Sequence, residues 1–313
     1  MRVLRSLDNL PAALPFLVLT IGNFDGVHRG HQRILARVVR RARARRGTAA
    51  ALTFHPHPAR VLGRPAPPLL TTLKQKLALL EAAGLDLALV LPFTRALSRL
   101  TPRQFVERII SRRLRARRLY VGPNFRFGHR AAGDVRLLRR LARELGFALE
   151  VVPRVRVSRR TASSTLIRRL IAAGRVRPAA RLLGRPYALT GRIQPGQGRG
   201  GPLGFPTLNL SPEQECLPAR GVYLTETLVG GRLFPSATNV GVRPTFGGAR
   251  LVVESHLLGF ARTLRRGPLE VRFHERLRAE RKFASPAALR AQIARDVRRA
   301  RRFFLRRRRS VRV

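Results

Sequence analysis

The chain has few acidic residues, a single cysteine, no tryptophan and no long uninterrupted apolar run. Its 313 residues include 16 Asp and Glu against 64 Lys and Arg, a formal net charge of +48. Cys216 has no second cysteine to pair with, which excludes an internal disulfide and fits a reducing compartment such as the cytoplasm. Without a run of about 18 uncharged apolar residues, no transmembrane helix is expected. The amino-terminal stretch carries Asp8 and two prolines and lacks a clear cleavage site, so we expect no signal peptide.

The basic excess is almost entirely arginine. Lysine occurs only at Lys74, Lys76 and Lys282, which leaves 61 of the 64 basic residues as arginine. Arginine is spread from Arg2 to Arg312 instead of forming one stripe, which favours a general bias toward arginine on solvated faces. The alternative is affinity for nucleic acid or another acidic partner, with 298–309 as the densest candidate segment. Attraction to phosphates alone would make such binding non-specific and sensitive to salt.

Apolar strand-like runs alternate with amphipathic helix-like runs in the first half of the chain. The predicted strands are 16–22, 48–54, 85–93, 116–122 and 148–157. The predicted helices are 31–46, 70–84, 101–114, 134–146 and 161–174. Strands separated by helices of this length indicate a doubly wound parallel sheet with right-handed crossovers. In such α/β sheets, ligands bind beyond the carboxyl ends of the strands.

The pattern changes after residue 185, where short alternating strands and Gly/Pro turns take over. The predicted strands are 188–193, 221–229, 232–241, 250–260 and 269–277. They are typical of an antiparallel barrel or sandwich. A final helix is predicted over 285–304, with Ser285 as N-cap and Pro286 at the first helical position. We therefore predict two domains, 1–184 and 185–313.

The stretch TIGNFDGVHRGHQ forms the predicted turn between the first strand and the first helix. Gly22, Gly26 and Gly30 let a ligand approach the backbone closely, and the helix start presents unpaired N–H groups to an anion. His28 and His31, three residues apart, lie on the same side of the first helical turn and can donate hydrogen bonds to phosphate. The alternatives are a purely structural turn and a zinc site, which lacks a nearby cysteine to complete it.

A second candidate for phosphate binding is the helix start in TASSTLIR. It places Ser163, Ser164 and Thr165 at the beginning of the helix, and Arg168 one turn later. Hydroxyls, backbone N–H groups and a guanidinium together suit a polyphosphate. The alternative is ordinary capping, which Ser and Thr commonly provide.

A third candidate is VGPNFRFGHRAAGD, residues 121–134, a glycine-bearing loop that follows a predicted strand. It contains Asn124 and Phe125. A loop at that end of a strand can contribute to a ligand site. The alternative is a plain connection between strand and helix.

In the second half, the segment 190–210 is rich in glycine. Its glycines include Gly196, Gly198, Gly200 and Gly204. Such a loop can wrap a phosphate with backbone N–H groups, but no GK[ST] follows, so it is not a Walker A loop. In a strand that begins near Phe205, Thr207 and Asn209 would share a face and offer neutral oxygen ligands to Mg²⁺. The alternative is a flexible hairpin loop.

Glu254 is a carboxylate in a predicted barrel strand, RLVVESHLLGF. Glu254 and His256 alternate with Val253, Ser255 and Leu257. A carboxylate in this setting is either paired with one of the many arginines or functional. The residues of the strand alone leave both open.

Four motifs of the first half resemble a known enzyme module. GNFDGVHRGH, LTFHPHP, VGPNFRFGHRAAGD and SSTLIR resemble, in this order, the adenylyltransferase module of the prokaryotic bifunctional FAD synthetases. The resemblance implies AMP transfer from ATP to FMN, with His28 and His31 stabilising the transition state. The nucleotide-binding residues it implies are Gly22, Asn23, Phe24, Asp25, Gly26, His28, His31, Asn124, Ser164, Thr165 and Arg168. It places His57 and Phe125 beside the site, whereas His55 stands where an acidic or polar residue is expected.

The second half resembles the riboflavin kinase module of the same enzymes, which is an antiparallel barrel with a terminal helix. The motifs are GFPTLN, GVY, NVGVRPTF, VESHLL and RAERKF. The resemblance implies Glu254 as general base on the ribityl hydroxyl of riboflavin, and Thr207 and Asn209 as ligands of Mg–ATP. It implies that Gly196, Gly198, Gly200 and Gly204 cover the ATP phosphates. It also places Arg243 near the flavin pocket.

Two departures from the kinase pattern are Gly198, where a lysine is common, and Gly259, where an aspartate is usual. Together the two resemblances imply an α/β nucleotidyltransferase followed by a kinase barrel, which use ATP, riboflavin, FMN and a divalent cation such as Mg²⁺. Two other hypotheses are a nucleotidyltransferase with another acceptor and a nucleic-acid-binding protein. No tryptophan and only three tyrosines are available for base stacking, which counts against the last.

Overall fold

Secondary-structure elements follow one another in two compact units, Met1–Ser164 and Thr165–Val313. The computed structural model describes residues 1–11, 14–195, 204–245, 248–260 and 264–311, and their side chains outside 243–251 and 308–311. The two helices after residue 163, which the predicted boundary at 184 assigns to the first domain, lie mostly in the second unit.

The first unit contains six strands of one sheet, a small hairpin and the helices between them. The strands are β1 (Arg2–Leu4), β2 (Val18–Ile21), β3 (Ala49–Phe54), β4 (Leu87–Leu91), β5 (Arg118–Val121), β6 (Ala148–Val151), β7 (Arg156–Val157) and β8 (Arg160–Thr161). The helices are α1 (Arg29–Arg43), α2 (Pro58–Val61), α3 (Leu73–Ala82), α4 (Arg95–Arg99), α5 (Pro102–Phe105), a π-helix (Val106–Arg113), a 3₁₀ turn (His129–Ala131) and α6 (Val135–Glu144). Helix α7 (Ser164–Ala172) starts at the boundary between the units.

The described strands of the sheet run in the order β1-β4-β3-β2-β5-β6, and every neighbouring pair is parallel. This confirms the doubly wound α/β prediction. From β2 the chain builds outward to β3 and β4 on one side and to β5 and β6 on the other. The topological switch therefore lies between β2 and β5, where a crevice opens at the carboxyl ends of the strands. The loops that leave β2 and β5 are the predicted motif loops.

Both faces of the sheet are packed. Leu19 belongs to one apolar cluster with Ile110 and Leu138, whereas Val18 belongs to another with Leu35. Each fully buried side chain of this size contributes about 1.5–3 kcal/mol. Helix α1 turns its apolar stripe, which includes Leu35, Val38 and Ala42, to the sheet, so its first turn is fixed at the carboxyl end of β2.

The second unit contains α8 (Val176–Leu183), six strands and a long terminal helix. The strands are β9 (Tyr187–Gln194), β10 (Leu208–Pro212), β11 (Gly221–Val229), β12 (Arg232–Thr245), β13 (Gly248–Leu257) and β14 (Pro268–Ala279), followed by α9 (Pro286–Val311). The described strands close in the antiparallel order β10-β13-β12-β11-β14-β9. The structure is therefore a barrel and not a sandwich. Ser285 accepts from the N–H of Ala288 at 3.2 Å, as predicted for an N-cap.

The two faces of the barrel wall differ in character. Inward-facing positions include Thr225, Thr238 and Ser255, which are fully buried and joined by hydrogen bonds of 2.6 and 2.7 Å between their hydroxyls. The outward face carries Leu224 and Ala237, which pack against α9. Because side chains alternate along a strand, Asn239 and Glu254 lie on the outward face as well.

Candidate active sites

The turn after β2 is held by its own buried side chains. Phe24 and Val27 are each 1% exposed and have positive φ, 47° and 38°, which non-glycine residues rarely adopt. Burial of both side chains beneath the turn stabilises this backbone, and the N–H of Val27 donates to the carbonyl of Phe24 at 3.2 Å. A nucleotide bound at the turn would therefore meet the backbone of Phe24 and not its ring.

Asp25 ties this turn to the segment before α3. Its carboxylate accepts from the N–H groups of Leu70 and Thr71 at 3.0 and 3.1 Å, and from the Thr71 hydroxyl at 3.1 Å. The same hydroxyl accepts from the N–H of Gly26 at 3.2 Å. On the other side, the Ser164 hydroxyl donates to the carbonyl of Asp25 at 2.9 Å. The carboxylate of Asp25 thus fixes one side of the turn. The hydroxyl of Ser164 fixes the other through the backbone carbonyl of Asp25.

His28 is the N-cap of α1. Its Nδ1 accepts from the N–H groups of Gly30 and His31, at 3.1 and 3.4 Å. Because Nδ1 is an acceptor, the neutral ring carries its proton on Nε2, which makes Nε2 a donor. A Cβ at position 30 would lie 2.9 Å from Cε1 of His28, so glycine is what lets this ring rest against the helix start.

His31 stacks on His28, with ring centroids 3.7 Å apart and planes 19° apart. Its Nδ1 is buried and has no hydrogen-bond partner among the described residues. Burial is the main cause that holds the pKa of His31 well below its usual value of 6.5, and the electrostatic influence of His28 and Lys76 lowers it further. The ring of His31 is therefore neutral at pH 7 and offers one N–H to a ligand.

Asn23 and His57 meet across the ends of β2 and β3. The side-chain amide of Asn23 lies 3.3 Å from Nε2 of His57. His57 caps α2, since its Nδ1 accepts from the N–H of Ala59 at 3.2 Å. His55 is largely exposed. Its pKa is lowered by the loss of some of its hydration and then by the nearby positive charges of Lys76, Arg5 and Arg60.

Asn124 and Phe125 line a cavity of about 460 Å³ beyond β5 and β6. The guanidinium of Arg154 donates to Oδ1 of Asn124 at 2.6 Å, and Phe125 stacks on Phe127 with centroids 5.5 Å apart. The wall also contains Arg126, Asp134, Arg136 and Arg139. Its aromatic and basic groups suit a planar ligand that carries negative charge.

Thr165 and Arg168 follow Ser164 on α7, in the second unit. Thr165 is exposed and Arg168 is half-buried, and Arg168 lies one helical turn after Ser164. Residues four apart share a helix face. Ser164 and Arg168 therefore occupy positions on the same face of α7.

In the barrel, Glu254 lies between two asparagines. It is opposite Asn209 on β10 and opposite Asn239 on β12, and Gln194 on β9 is the next residue in the same row. Directly opposite residues of antiparallel strands project from the same face. All four side chains are half-buried. The row therefore forms a polar strip on the outward face of the barrel.

Thr207 extends this strip. Strand β10 begins at Leu208, so the prediction of a strand that starts near Phe205 was wrong, and Thr207 lies just before the strand. Leu208 and Leu210 are buried while Thr207 and Asn209 are half-buried, an alternation that places Thr207 and Asn209 on one side.

Glu280 reaches toward the strip across Gly241. A Cβ at position 241 would lie 2.6 Å from Oε1 of Glu280 and 3.0 Å from Nδ2 of Asn239. The bare backbone of Gly241 thus leaves room for this carboxylate. The sequence did not single out Asn239 or Glu280 as site residues, although both lie within quoted motifs; the signal that could have found them is the strand register.

Some of the remaining predicted kinase residues lie outside the part of the chain that the structure describes. Gly196, Gly198 and Gly200 lie outside the described residues, as does the side chain of Arg243, which is on β12. Gly204 is exposed with φ 81°. Gly259 has φ 72°, a left-handed conformation that favours glycine over the aspartate expected there.

Within the described ranges, no three His, Cys, Asp or Glu side chains converge on a position where they could hold a metal ion. The oxygens of Thr207 and Asn209, beside Glu254, are the donor set that suits a hard divalent cation. None of the described helices combines the length and apolar character needed to cross a membrane.

Two family models match the chain, one on each side of the change in pattern. The FAD synthetase model matches residues 11–166, and the riboflavin kinase model matches residues 183–304. The matched segments contain the turn with His28 and the barrel strip with Glu254, respectively.

Curated relatives match over nearly the whole chain. Bifunctional riboflavin kinase/FMN adenylyltransferases of Escherichia coli K12 and Pseudomonas fluorescens are each 38% identical, over 97% and 96% of this chain and 98% and 97% of their own lengths. The Bacillus subtilis enzyme of that name is 32% identical over 92% of both chains. A crystal structure described as a macrolide-efflux protein from Streptococcus pneumoniae superposes with a TM-score of 0.87 at 25% identity, covering 96% of this chain and 98% of that one. Two matched family models and near-full-length relatives above 30% identity show that the chain belongs to the bifunctional riboflavin kinase/FMN adenylyltransferase family.

Proposed function

We propose that the chain carries out both reactions of its family, each in one of the two sites described above. The barrel phosphorylates riboflavin with ATP to give FMN, and the parallel-sheet module transfers AMP from a second ATP to FMN, giving FAD and pyrophosphate. The observation that carries this proposal is the N-cap of α1, where His28 is fixed as an Nε2–H donor beside a neutral His31. The functional boundary at 184/185 is part of the proposal, supported by family matches that end at 166 and resume at 183.

In adenylyl transfer, a phosphate oxygen of FMN attacks the α-phosphorus of ATP, and the bond from that phosphorus to the β-phosphate oxygen breaks. No covalent protein intermediate is required, so the protein contributes positioning and charge stabilisation. Nε2–H of His28 and the ring of His31 donate to phosphate oxygens. Other ATP contacts come from Gly22, Asn23, the Phe24 backbone, Gly26, Ser164, Thr165 and Arg168, with Asp25 shaping the turn. Asn124, Phe125 and His57 line the flavin side.

In the kinase reaction, Glu254 accepts the proton of the ribityl 5′-hydroxyl as its oxygen attacks the γ-phosphorus of ATP. Thr207 and Asn209 hold Mg²⁺ or another divalent cation, which neutralises phosphate charge when bound. Gly196, Gly198, Gly200 and Gly204 cover the phosphates with backbone N–H groups, and Arg243 lies near the flavin.

Flavin analysis tests the proposal directly. The purified chain is incubated with riboflavin, ATP and Mg²⁺, and the flavins are separated and quantified. We expect FMN and FAD, and loss of both when the cation is chelated. Absence of both products in the presence of cation would contradict the proposal.

We also propose a cytoplasmic location and weak, non-specific binding of nucleic acid. The single, buried Cys216 supports a reducing compartment.

The proposed binding of nucleic acid is supported by exposed arginines on α9, which would attract phosphates. They include Arg298, Arg299, Arg301 and Arg302. Binding measured against salt should vanish by about 0.5 M if charge alone drives it; persistence there would indicate specific recognition.

Gly30→Ala is expected to slow FAD formation from FMN by roughly 10- to 100-fold, because the added Cβ displaces His28 from the helix start. The same change removes a helical glycine, which favours α1 by up to about 1 kcal/mol. Loss of activity without loss of stability distinguishes displacement from unfolding. Steady-state rates of FMN and FAD formation by the Gly30→Ala chain test this expectation. An unchanged rate of FAD formation would disprove the role of His28 packing against Gly30.

Gly241→Ala is expected to lower FMN formation by about tenfold or more and to leave FAD formation from FMN intact. Its Cβ would occupy the place of the Glu280 carboxylate and crowd Asn239. Rates for Glu280→Ala and for the double variant complete the measurement. If the Gly241→Ala loss is caused by displacement of Glu280, the double variant should form FMN no more slowly than either single variant. Additive losses in the FMN-forming rate would contradict this cause.

A further inference from the structure

Lys76 lies one turn into α3. This helix follows directly after Leu70 and Thr71, which anchor the turn between β2 and α1. Thr72 caps this helix by a reciprocal pair of 3.1 Å hydrogen bonds with Gln75. The two residues before the cap are the partners of Asp25 described above. The start of α3 is therefore fixed relative to the turn, and so is the backbone of Lys76.

The side chain of Lys76 is on the helix face that packs under the turn. It is 8% exposed and shares this buried face with Leu80, one turn later. Leu80 belongs to the same apolar cluster as Phe24 and Val27 of the turn. Among the described residues, none accepts a hydrogen bond from the Lys76 ammonium. A largely buried ammonium without a protein acceptor is stabilised by an anionic ligand.

The charge of Lys76 acts on the groups of the adenylyltransferase site. Burial lowers the pKa of Lys76, and Asp25 offsets part of this effect. Lys76 in turn helps to lower the pKa values of His31 and His55. Asp25 is already engaged by Leu70 and Thr71, so the ammonium has capacity for a further anion.

The identity of the residue is informative in this chain. Arginine fills 61 of 64 basic positions, yet position 76 is lysine. The planar guanidinium needs more room than the compact ammonium, which also remains a point charge suited to phosphate. Of the three lysines only Lys76 is buried, whereas Lys74 and Lys282 are exposed, and the compact ammonium fits this confined position.

We propose that Lys76 binds an oxygen of the ATP triphosphate during adenylyl transfer. The assignment rests on the proposed function of the first unit. Lys76 remains protonated throughout: it stabilises the negative charge that passes to pyrophosphate as the bond from the α-phosphorus to the bridging oxygen breaks. It forms no covalent bond and transfers no proton.

Lys76→Met tests the assignment, with Lys74→Met on the exposed side of the same helix as the matched control. FAD formation from FMN is measured as kcat/KM for ATP, together with FMN formation from riboflavin and the thermal midpoint of each chain. For Lys76→Met we expect kcat/KM to fall by roughly 100-fold, with FMN formation unchanged. The thermal midpoint should stay the same or rise, since a buried charge is removed. Lys74→Met should match the unmodified chain, and Lys76→Arg should retain more activity than Lys76→Met.

Two results would overturn the assignment. One is kcat/KM within twofold of the unmodified chain for Lys76→Met. The other is a lower thermal midpoint with both activities reduced together, which indicates a structural role. If the unmodified chain itself forms no FAD from FMN, the proposed function fails instead, and the two failures are distinguishable.

Discussion

Glu254→Gln is expected to reduce FMN formation from riboflavin by about 10²- to 10⁴-fold, because the amide cannot accept the hydroxyl proton. Glutamine has nearly the same shape as glutamate and can hydrogen-bond to amides such as those of Asn209 and Asn239, which lie opposite position 254 on both sides. The barrel should therefore stay folded. Conversion of added FMN to FAD should proceed at the unmodified rate, as measured by flavin separation.

Glu275→Gln is the matched control for this experiment. Glu275 is also on the barrel, where its carboxylate pairs with Arg177 at 3.5 Å, and we assign it no chemical role. Its variant should form FMN normally. Retention of more than a tenth of the FMN-forming rate by Glu254→Gln would rule out Glu254 as the base.

The second large effect is expected for His28→Asn, which should slow FAD formation by about 10²- to 10³-fold, as removal of a transition-state donor does. Asparagine is a good N-cap, so it can replace the acceptor that Nδ1 of His28 offers to Gly30 and His31. What it removes is the Nε2–H group on the far side of the ring. The variant thus separates capping from chemistry.

FMN formation and the thermal midpoint are the controls for His28→Asn. Both should stay at the values of the unmodified chain, because the barrel is untouched and α1 keeps a cap. Normal FAD formation by this variant would mean that the donor is not used. A large drop in the thermal midpoint would mean instead that the imidazole is needed for the fold.

Much of the first site was predictable from local sequence. The apolar run before TIGNFDGVHRGHQ and the helical period after it place His28 at a strand-to-helix turn, and the structure shows it there. The cap itself was not predictable, because nothing in the spacing distinguishes an imidazole that accepts from its own helix from one that points outward. The side chain of Phe24 was likewise hidden from sequence, since its burial follows from a rare positive φ.

The residues that sequence missed depend on contacts distant along the chain. Strand β1 is three residues long and gains its place by pairing with β4, which leaves no periodic signal. Asn239 joins Glu254 through strand register, and Glu280 through the space over Gly241. Lys76 is one of three lysines in the chain, and its burial, which sets it apart from the other two, is a property of the packed helix.

Two separate sites on one chain are the central claim, and mixing two single-site variants tests it most directly. Glu254→Gln and His28→Asn chains are incubated with riboflavin, ATP and Mg²⁺, first apart and then together, and the flavins are quantified. We expect the first chain to leave riboflavin unchanged, the second to stop at FMN, and the mixture to form FAD. Formation of FAD by either chain alone at the unmodified rate, or accumulation of FMN without FAD in the mixture, would contradict the account.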